Sequence, residues 1–401
     1  MVNTLQSNIT TLGNVAKYIN GRAFKPSEWE ETGLPIIRIQ NLTDKKAKYN
    51  YTSLKHDDKF LVKNGDLLFA WSASLGAHIW QGNEAWLNQH IFKVLPYECI
   101  EKSYLYYFLC RVVSELYTKT HGSGMVHITK NMFINTPIPV PPIQDQKRIV
   151  ARIEELFSNL DSAVETLQKT KQQLEVYRQA VLREAFSEFD SNTYIILKNI
   201  IEKPRYGTSK KCTYDQTDNS ISVYRIPNID YRLGCIDTTD LKYADFTNEE
   251  LKKIDLQTND LLMIRSNGSV SLVGRTAIVS QANNNDTFAG YLIRLRFINP
   301  SIYRAKFLHY YLQSHNARIY IENVAKSTSG VNNINSDEIS KIPIPWGDDD
   351  RIKHVVCNID RYLSISNNIC NTVDEALHQA EAMRQSILKQ AFEGEYKFAR
   401  V

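Results

Sequence analysis

The chain has 401 residues, which is enough for two or three domains. Its 48 lysines and arginines nearly balance its 44 aspartates and glutamates, and the net charge of +4 excludes a histone-like protein or one dominated by a basic tail. A nucleic-acid partner would therefore have to meet positive charge that is concentrated locally or supplied by other subunits.

The cysteines and the N-terminus are typical of a cytoplasmic protein. None of the six cysteines has a CxxC partner or a spacing typical of metal sites, so we expect reduced thiols. The N-terminal residues lack the apolar core of a signal peptide. No run approaches the roughly 18 apolar residues that a membrane span needs, so we expect no membrane partner.

Residues 1–142 predict a first globular segment. Apolar runs at Leu34–Leu42, Leu67–Trp71 and Ile91–Leu95 are typical of strands, and Lys102–Thr118 has the spacing of a helix. The connecting loops are polar, and their side chains can contact DNA phosphates or base edges, although each loop alone also suits an ordinary surface. The candidate DNA contacts here are Arg38, Gln40, Asn41, Trp71, Ser72, Ser74, His78, Ser123, Gly124, His127, Thr129 and Lys130.

A proline-rich strap at residues 137–142 ends this segment, because proline breaks a helix and disfavours the helical conformation of the residue before it. Residues 143–188 then contain neither glycine nor proline, and apolar residues recur at heptad positions a and d for about five heptads. This pattern predicts a coiled-coil helix of roughly 65 Å. Its seam residues are Ile153, Leu156, Leu160, Leu167, Leu174, Tyr177 and Val181.

Residues 189–346 predict a second globular segment with a basic opening. Among its polar residues, Arg265, Asn267 and Arg275 suit base recognition, because arginine forks onto guanine and asparagine pairs with adenine through two hydrogen bonds. The candidate DNA contacts here are Lys203, Arg205, Lys210, Lys211, Arg225, Asn228, Arg265, Ser266, Asn267, Arg275, Ser329, Asn332, Asn333 and Asn335.

The strap and the helix occur twice. Pro137–Pro139 matches Pro343–Pro345 at an offset of 206 positions, and the offset holds without a gap as far as Phe186 and Phe392. The second seam consists of Ile359, Tyr362, Ile369, Val373, Met383 and Ile387. It also contains small residues, so the two helices suit packing against each other better than self-pairing.

The globular segments repeat more weakly. Arg38 and Asn41 match Arg225 and Asn228, and the Gly65–Leu68 turn matches 259–262, but the offset drifts along the segments. The globular segments have therefore accepted insertions, whereas the helices have not. A repeated scaffold with different polar loops is what recognition of two different half-sites would require.

Motifs for catalysis are weak. Residues 268–276 resemble a phosphate-binding loop only faintly, because the glycine spacing is wrong and arginine replaces the lysine. Asp245, Glu250 and Lys252 imitate the cluster of a metal-dependent nuclease, but such combinations arise by chance in charged helices. The sequence contains no adenine-methylation motif and no glycine-rich nucleotide fingerprint.

The repeated order of globular segment, I-P-x-P strap and heptad helix resembles the specificity subunit of type I restriction-modification systems. The resemblance covers the whole chain and includes the R-Q-A-V-L-x-x-A-F helix end at 178–186 and the repeated I-x-N elements. It implies an α+β fold in which two similar target recognition domains are joined by two long antiparallel coiled-coil helices in a pseudo-twofold internal repeat. The expected boundaries are target recognition domains at 1–142 and 189–346, helices at 143–188 and 347–393, and a tail at 394–401.

The resemblance also implies a function. Each domain would recognise one half of a bipartite, asymmetric site in double-stranded DNA, and the helices would set the spacer and dock two modification subunits. Those subunits would bind S-adenosylmethionine and methylate adenine, and a restriction subunit would use ATP and Mg²⁺. This chain would then hold no cofactor or metal and would not be an enzyme.

Two alternatives remain open at the level of sequence. The first is a stand-alone, metal-dependent nuclease that uses Asp245, Glu250 and Lys252. The second is a coiled-coil scaffold protein that makes no contact with DNA.

Overall fold

A computed structural model describes residues 8–44, 46–118, 129–217, 220–279, 286–328 and 330–393. The chain divides into unit 1, residues 1–167 with 375–401, and unit 2, residues 168–374. Each unit contains one globular segment and parts of two long helices, so the predicted α+β fold class is confirmed. Within the described residues, no helix has a stretch that is long and apolar enough to cross a membrane.

Unit 1 contains a series of strands and helices followed by the beginning of the first long helix. In chain order they are β1 (Asn8–Thr11), α1 (Leu12–Val15), β2 (Ala16–Asn20), β3 (Leu34–Ile37), α2 (Ile39–Thr43), β4 (Asn50–Thr52), β5 (Leu61–Val62), β6 (Leu67–Ala70), β7 (Gly76–Ile79), β8 (Ala85–Leu87), β9 (Ile91–Pro96), α3 (Lys102–Thr118), α4 (Lys130–Ile134), β10 (Pro137–Val140) and α5 (Ile143–Ser187).

Two four-stranded sheets form the body of unit 1, in the orders β2-β9-β6-β7 and β4-β3-β8-β5. The strap strand β10 pairs antiparallel with β1. The core between the first sheet and its helices is aromatic: Phe69 of β6 stacks on Phe133 of α4 at 4.5 Å between ring centres, and Phe108 of α3 is fully buried. Tyr104 of α3 is buried as well, so the aromatic side of α3 packs in the core.

Unit 2 contains the remaining elements. They are β11 (Tyr194–Ile196), β12 (Arg205–Tyr206), β13 (Ser220–Tyr224), β14 (Ile229–Asp230), β15 (Cys235–Ile236), β16 (Lys242–Asp245), α6 (Asn248–Leu251), β17 (Leu261–Ile264), β18 (Ser266–Asn267), β19 (Thr276–Ile278), β20 (Thr287–Phe288), β21 (Leu292–Leu295), α7 (Ile302–Gln313), α8 (His315–Val324), β22 (Lys326–Thr328), β23 (Val331–Asn333), α9 (Ser336–Ser340), β24 (Pro343–Pro345) and α10 (Asp349–Glu393).

The sheets of unit 2 repeat the pairings of unit 1. The six-stranded sheet has the order β12-β21-β17-β19-β15-β14, so β17 lies beside β21 as β6 lies beside β9. Strand β13 pairs in parallel with β20 as β3 does with β8, and the strap strand β24 pairs with β11 as β10 does with β1. The sequence repeat therefore encodes one scaffold twice.

A shared turn explains why the buried strands β6 and β17 begin where they do. The residue before the turn aspartate has a positive φ in both units, 86° at Gly65 and 74° at Asn259, and glycine and asparagine are the residues that adopt this conformation most readily. The following carboxylate closes the turn, since Asp66 accepts a hydrogen bond from the backbone of Lys63 and Asp260 accepts one from Gln257. All four residues of each strand are then buried.

The long helices α5 and α10 have 45 residues each. In unit 1, Ile153 belongs to the same core cluster as Leu388 and Phe392, and Asp161 forms an ion pair with Arg384. Later residues of α5 thus meet earlier residues of α10, and within this unit the two helices run antiparallel.

The helix pairing in unit 2 has the same sense. Lys171 forms an ion pair with Asp374 at 2.5 Å, and Arg178, one heptad further along α5, lies 3.4 Å from Asn367, one heptad earlier on α10. Polar contacts between α5 and α10 therefore recur at a spacing of one heptad on both helices.

The predicted phase of the seam is wrong by one residue at four positions. Tyr177, Tyr362, Ile369 and Met383 are 42%, 48%, 42% and 55% exposed. The residue that follows each of them turns inward instead: Arg178, Leu363, Cys370 and Arg384 are buried or partly buried. The predicted seam and the observed seam are related by a rotation of roughly 100° about the helix axis. The polar partners of Arg178 and Arg384 favour the observed seam.

The other predicted seam residues face inward to different degrees. Ile153, Ile359, Val373 and Ile387 are buried, and Leu156, Leu160, Leu167, Leu174 and Val181 are partly buried. All of these residues except Leu156 occupy heptad position d rather than a, because a further inward residue follows four positions after each of them.

Two neighbouring residues test the corrected phase. Leu363 is buried in the core of unit 2, so Leu363→Ala should lower the free energy of unfolding by about 2–5 kcal/mol. Tyr362→Ala removes a larger but exposed side chain and should change it by less than about 0.5 kcal/mol. Denaturant unfolding of both full-length variants measures the difference, and equal losses would contradict the corrected phase.

Candidate nucleic-acid interface

The loop after β6 and the start of β7 contain an aromatic side chain with several contacts, one buried serine, one exposed serine and a partly buried histidine. The indole Nε1 of Trp71 donates a hydrogen bond to Asn20 Oδ1 at 3.1 Å, and its ring stacks on Phe92 and meets the edge of His90. Ser72 is buried, so the prediction that it contacts DNA is wrong, whereas Ser74 is exposed. Burial lowers the pKa of His78, which favours a neutral imidazole at neutral pH.

The loop after β17 presents a cation on an aromatic ring. The guanidinium of Arg265 lies 4.8 Å from the ring centre of Tyr206, and its Nη1 donates a hydrogen bond to the Gly290 carbonyl at 3.0 Å. Arg205 beside Tyr206 is exposed, and Tyr291 is 63% exposed. This surface offers positive charge and exposed aromatic edges, which are typical of nucleic-acid contacts.

The β18–β23 pairing positions the asparagines near this surface. Asn332 Nδ2 donates to the Gly268 carbonyl at 3.0 Å, and Asn267 Oδ1 accepts a hydrogen bond from the backbone of Ser269 at 2.8 Å. Asn333 is partly buried at the end of β23, and Ser266 is buried, which contradicts its prediction as a DNA contact. Both hydrogen-bonded asparagines thus help to shape the turn.

Asn335 has a structural role that was not predicted. Its Oδ1 accepts hydrogen bonds from the backbone N–H groups of Asp337 and Glu338, both at 2.9 Å, and the Glu338 carboxylate accepts one from the Asn335 backbone in return. This is a helix N-cap with its reciprocal partner. The cap engages the Oδ1 of Asn335, while the residue is exposed, and its contact with DNA stays a prediction.

The first I-x-N asparagine is also structural. Asn41 is buried, and its Oδ1 accepts a hydrogen bond from the Arg38 backbone at 3.0 Å. Its Nδ2 donates to the carbonyls of Ala47 and Lys48. These bonds hold the chain after α2, so Asn41 cannot contact bases, whereas its neighbour Gln40 is exposed.

The second I-x-N asparagine makes matching contacts. Asn228 is buried, its Oδ1 accepts a hydrogen bond from the Arg225 backbone at 2.8 Å, and its Nδ2 donates to the carbonyls of Asp237 and Asp240. The Arg225 guanidinium donates to the Asp240 carboxylate at 2.9 Å. Arg225 is thus an ion-paired residue of the scaffold, and its contact with DNA stays a prediction.

Arg38, the counterpart of Arg225, has different partners. Its guanidinium lies 5.5 Å from the ring centre of Trp29 and 3.4 Å from Asn50 Oδ1. No carboxylate is paired with it within the described residues, so it keeps a positive charge at a partly exposed site.

The basic residues near the start of the second globular segment are of two kinds, exposed cations and an ion-paired lysine. Lys203, Arg205 and Lys211 are exposed. Lys210 is bound, since its Nζ donates to Glu250 at 2.7 Å and to the Asp245 carbonyl at 2.9 Å. This ion pair lowers the pKa of Glu250, which also accepts a hydrogen bond from the Thr247 backbone in a capping box.

This arrangement does not favour a nuclease centre. Glu250 accepts hydrogen bonds from Lys210 and Thr247, and Asp245 presents its carbonyl rather than its carboxylate to the lysine. Among the residues that the structure describes, no group of histidine, cysteine, aspartate and glutamate side chains could hold a metal ion. The Asp245, Glu250 and Lys252 cluster is therefore not assembled.

Arg275 lies on a partly buried face of unit 2. Its Nε donates to the Ser271 carbonyl at 3.1 Å, and its guanidinium lies 4.9 Å from the ring centre of Tyr231. Burial and the neighbouring Arg318 lower the pKa of Arg275 to about 10, so the group stays charged at neutral pH.

The remaining predicted contacts are mixed. Thr129 is the N-cap of α4 and accepts a hydrogen bond from the Met132 backbone, while Lys130 is exposed. Ser123, Gly124, His127 and Ser329 lie outside the described residues.

Comparisons with known proteins agree on one family. Residues 6–176 match the model for the type I restriction modification DNA specificity domain. The chain is 25% identical to the EcoKI specificity subunit of Escherichia coli (strain K12), covering 96% of this chain and 88% of the relative. It is 26% identical to the EcoBI specificity subunit of Escherichia coli, covering 96% and 85%, and 25% identical to the StySPI specificity subunit of Salmonella potsdam, covering 97% and 88%.

A solved structure supports the fold. A chain from the structure "Structural basis underlying complex assembly and conformational transition of the type I R-M system" matches with a TM-score of 0.64 and 17% identity, covering 96% of this chain and 97% of that chain. At this identity the likeness concerns the fold alone.

The structural role of the I-x-N asparagines can be tested with adjacent residues. Asn41→Ala leaves one backbone N–H and two carbonyls without their partner, so it should lower the free energy of unfolding by about 1–3 kcal/mol. The control Gln40→Ala, at an exposed position, should change it by less than about 0.5 kcal/mol. Thermal and denaturant unfolding provide the measurement, and wild-type stability of Asn41→Ala would refute this role.

Proposed function

Because the chain belongs to the family of type I restriction-modification specificity subunits, we propose that it selects the DNA sequence on which such a complex acts. The target recognition segment of each unit would recognise one half of a bipartite, asymmetric site in double-stranded DNA. The modification and restriction subunits would carry out the chemistry.

One observation carries this proposal: the chain holds two copies of the same strand pairings with different side chains at the ends of the strands. The β6–β9 and β17–β21 pairs agree in register, but Trp71 follows the first and Arg265 follows the second. A scaffold that is repeated while its surface chemistry changes suits recognition of two different base sequences. A scaffold protein without DNA contact would not need that difference.

Local charge supports DNA as the partner even though the net charge is small. Lys203, Arg205 and Lys211 are exposed at the opening of unit 2, and Lys130 is exposed in unit 1. Such side chains bind phosphates and fix the position of a protein on the duplex. Base edges would then be recognised by the residues at the strand ends.

We assign the catalytic steps to partner subunits. The modification subunits, two in our proposal, would dock on the long helices, bind S-adenosylmethionine and methylate adenine. A restriction subunit would supply steps that depend on ATP and Mg²⁺. This chain would contribute sequence selection and no catalytic group. The engagement of Glu250 with Lys210 counts against the nuclease alternative.

Methylation mapping tests the proposed function directly. The full chain is co-expressed with its modification subunit in a host without methylation, and the DNA is sequenced by a method that detects modified bases. We expect methyladenine in both halves of one bipartite, asymmetric motif. The control omits this chain, and methylation that is unchanged by the omission would refute the proposal.

The long helices should act as a spacer between the half-sites. Inserting seven residues after Leu167 and seven after Asp374 keeps the heptad phase and lengthens each helix by about 10 Å. We expect the unspecific spacer of the motif to grow by about three base pairs, at about 3.4 Å each. Methylation mapping measures the spacer. An active variant whose spacer is unchanged would contradict this role for the helices.

A further inference from the structure

Two three-residue clusters occupy the same place on the repeated scaffold. The first edge cluster, in unit 1, consists of Asn20, Trp71 and His90. The second edge cluster, in unit 2, consists of Tyr206, Arg265 and Tyr291. Only Trp71 and Arg265 were predicted to contact DNA, because the other four residues belong to no motif and are brought in by strand pairing.

Backbone hydrogen bonds establish that the clusters are equivalent. The Trp71 N–H donates to the His90 carbonyl at 3.1 Å, and the Arg265 N–H donates to the Tyr291 carbonyl at 3.0 Å. Both bonds lie one residue beyond the matching ends of the β6–β9 and β17–β21 pairs. Each central residue is thus held against the third member of its cluster by the same bond.

Glycine fixes the remaining position. Asn20 and Tyr206 are each followed by a glycine whose N–H donates to the strand beside it, from Gly21 to the Ile91 carbonyl and from Gly207 to the Leu292 carbonyl. A Cβ at either glycine would lie 2.0 or 2.3 Å from a backbone oxygen, so no other residue fits without a shift of the chain. The residue before the glycine is therefore held in the same position in both units.

Side-chain contacts join all three members of the first edge cluster and two members of the second, Tyr206 and Arg265. In the first edge cluster, the Trp71 indole donates to Asn20 Oδ1 and its ring centre lies 4.9 Å from that of His90. In the second, the Arg265 guanidinium lies over Tyr206 and donates to the carbonyl of Gly290, which precedes Tyr291. These contacts pre-organise the side chains and reduce the entropy lost on binding.

His90 adds a second observation at the same place. Its φ is 74°, a conformation that is uncommon for residues other than glycine, although histidine adopts it more readily than most. Strained residues of this kind concentrate at functional sites, because the surrounding structure must hold them in place. Here the hydrogen bond from the Trp71 N–H to the His90 carbonyl holds His90 in this backbone conformation. The backbone strain is therefore kept at the first edge cluster.

The two clusters differ in chemistry where the scaffold is the same. Asn41 and Asn228, and likewise Arg38 and Arg225, are the same residue type in both units, and the asparagines are locked into the backbone. The edge clusters share no residue type between the units. One cluster has an amide, an indole and an imidazole, and the other has a guanidinium and two phenols.

We propose that each edge cluster determines the base specificity of its own half-site. The second edge cluster would recognise a step that contains guanine, because an arginine edge matches the O6 and N7 acceptors of guanine, and Tyr206 and the Gly290 carbonyl limit the rotation of Arg265. The first edge cluster carries no cation comparable to Arg265 and would recognise a different step. This inference rests on the proposed function. It assigns the base specificity of the two half-sites to the six residues of the edge clusters.

The decisive variant gives the second edge cluster the side chains of the first: Tyr206→Asn, Arg265→Trp and Tyr291→His. The single variants Arg265→Ala and Tyr291→Ala keep the test available if the triple variant does not fold. The matched control is Ile298→Ala, because Ile298 is exposed just beyond the other end of β21. All variants are made in the full chain, co-expressed with the modification subunit, and their unfolding temperatures are compared with wild type.

Two measurements are made on each complex: methylation mapping, and binding to duplex DNA with one half-site fixed and the other randomised. We expect the triple variant to change base preference in one half-site while the other half-site and the spacer stay the same. Arg265→Ala should reduce discrimination at one base pair by about 5- to 150-fold, and Ile298→Ala should leave the motif unchanged.

The outcomes separate this inference from the proposed function. If the wild-type complex has no bipartite sequence preference, the proposed function fails, and this inference fails with it. If the wild-type motif is bipartite and the folded variants keep it unchanged in both halves, the edge clusters do not determine specificity, although the proposed function stands. Equal relaxation of both half-sites by Arg265→Ala would also overturn the assignment.

Discussion

The position of the central residue of each edge cluster depends on one buried strand in each unit. Strands β6 and β17 are apolar at all four positions and lie between two neighbouring strands. Their backbone N–H and C=O groups are far from water and cannot lose their partners without a large cost in free energy. The residue that follows each strand therefore leaves the sheet at a fixed point. Trp71 and Arg265 occupy that point. The core therefore determines at which surface positions the side chain can differ between the two units.

The repeated order and the long helices could be predicted because a heptad seam tolerates no insertion, so its pattern survives in sequence. The phase of the seam could not be predicted equally well. Tyr177 and Met383 are more apolar than Arg178 and Arg384, and a pattern of hydrophobicity favours the former. Arg384 faces inward because Asp161 on the facing helix pairs with it, and Arg178 because Gln313 accepts its hydrogen bond at 3.0 Å. Such partners lie far away in sequence and are visible only in the fold.

The candidate DNA contacts show a similar division. Residue type suggested that Asn41, Asn228 and Asn335 contact bases, but type does not reveal whether a side chain turns toward solvent or toward its own backbone. Two signals were present in the sequence. Asn335 is followed three residues later by Glu338, the pattern of a capping box, and an asparagine kept in both copies of a diverged repeat points to the backbone that both copies share. Tyr206 and Tyr291 carried no such signal, because only strand pairing brings them to Arg265.

These observations explain how such a chain can change specificity without losing its fold. The polar residues that hold the loops, such as Asn41 and Asn228, are buried, and their loss leaves backbone groups unpaired. The residues at the strand ends lie partly or largely in solvent, where substitutions have small effects on stability. Glycines 21 and 207 and the strand register keep these positions fixed whatever side chain they carry. The fold thus separates the residues that preserve its geometry from those that can alter what it recognises.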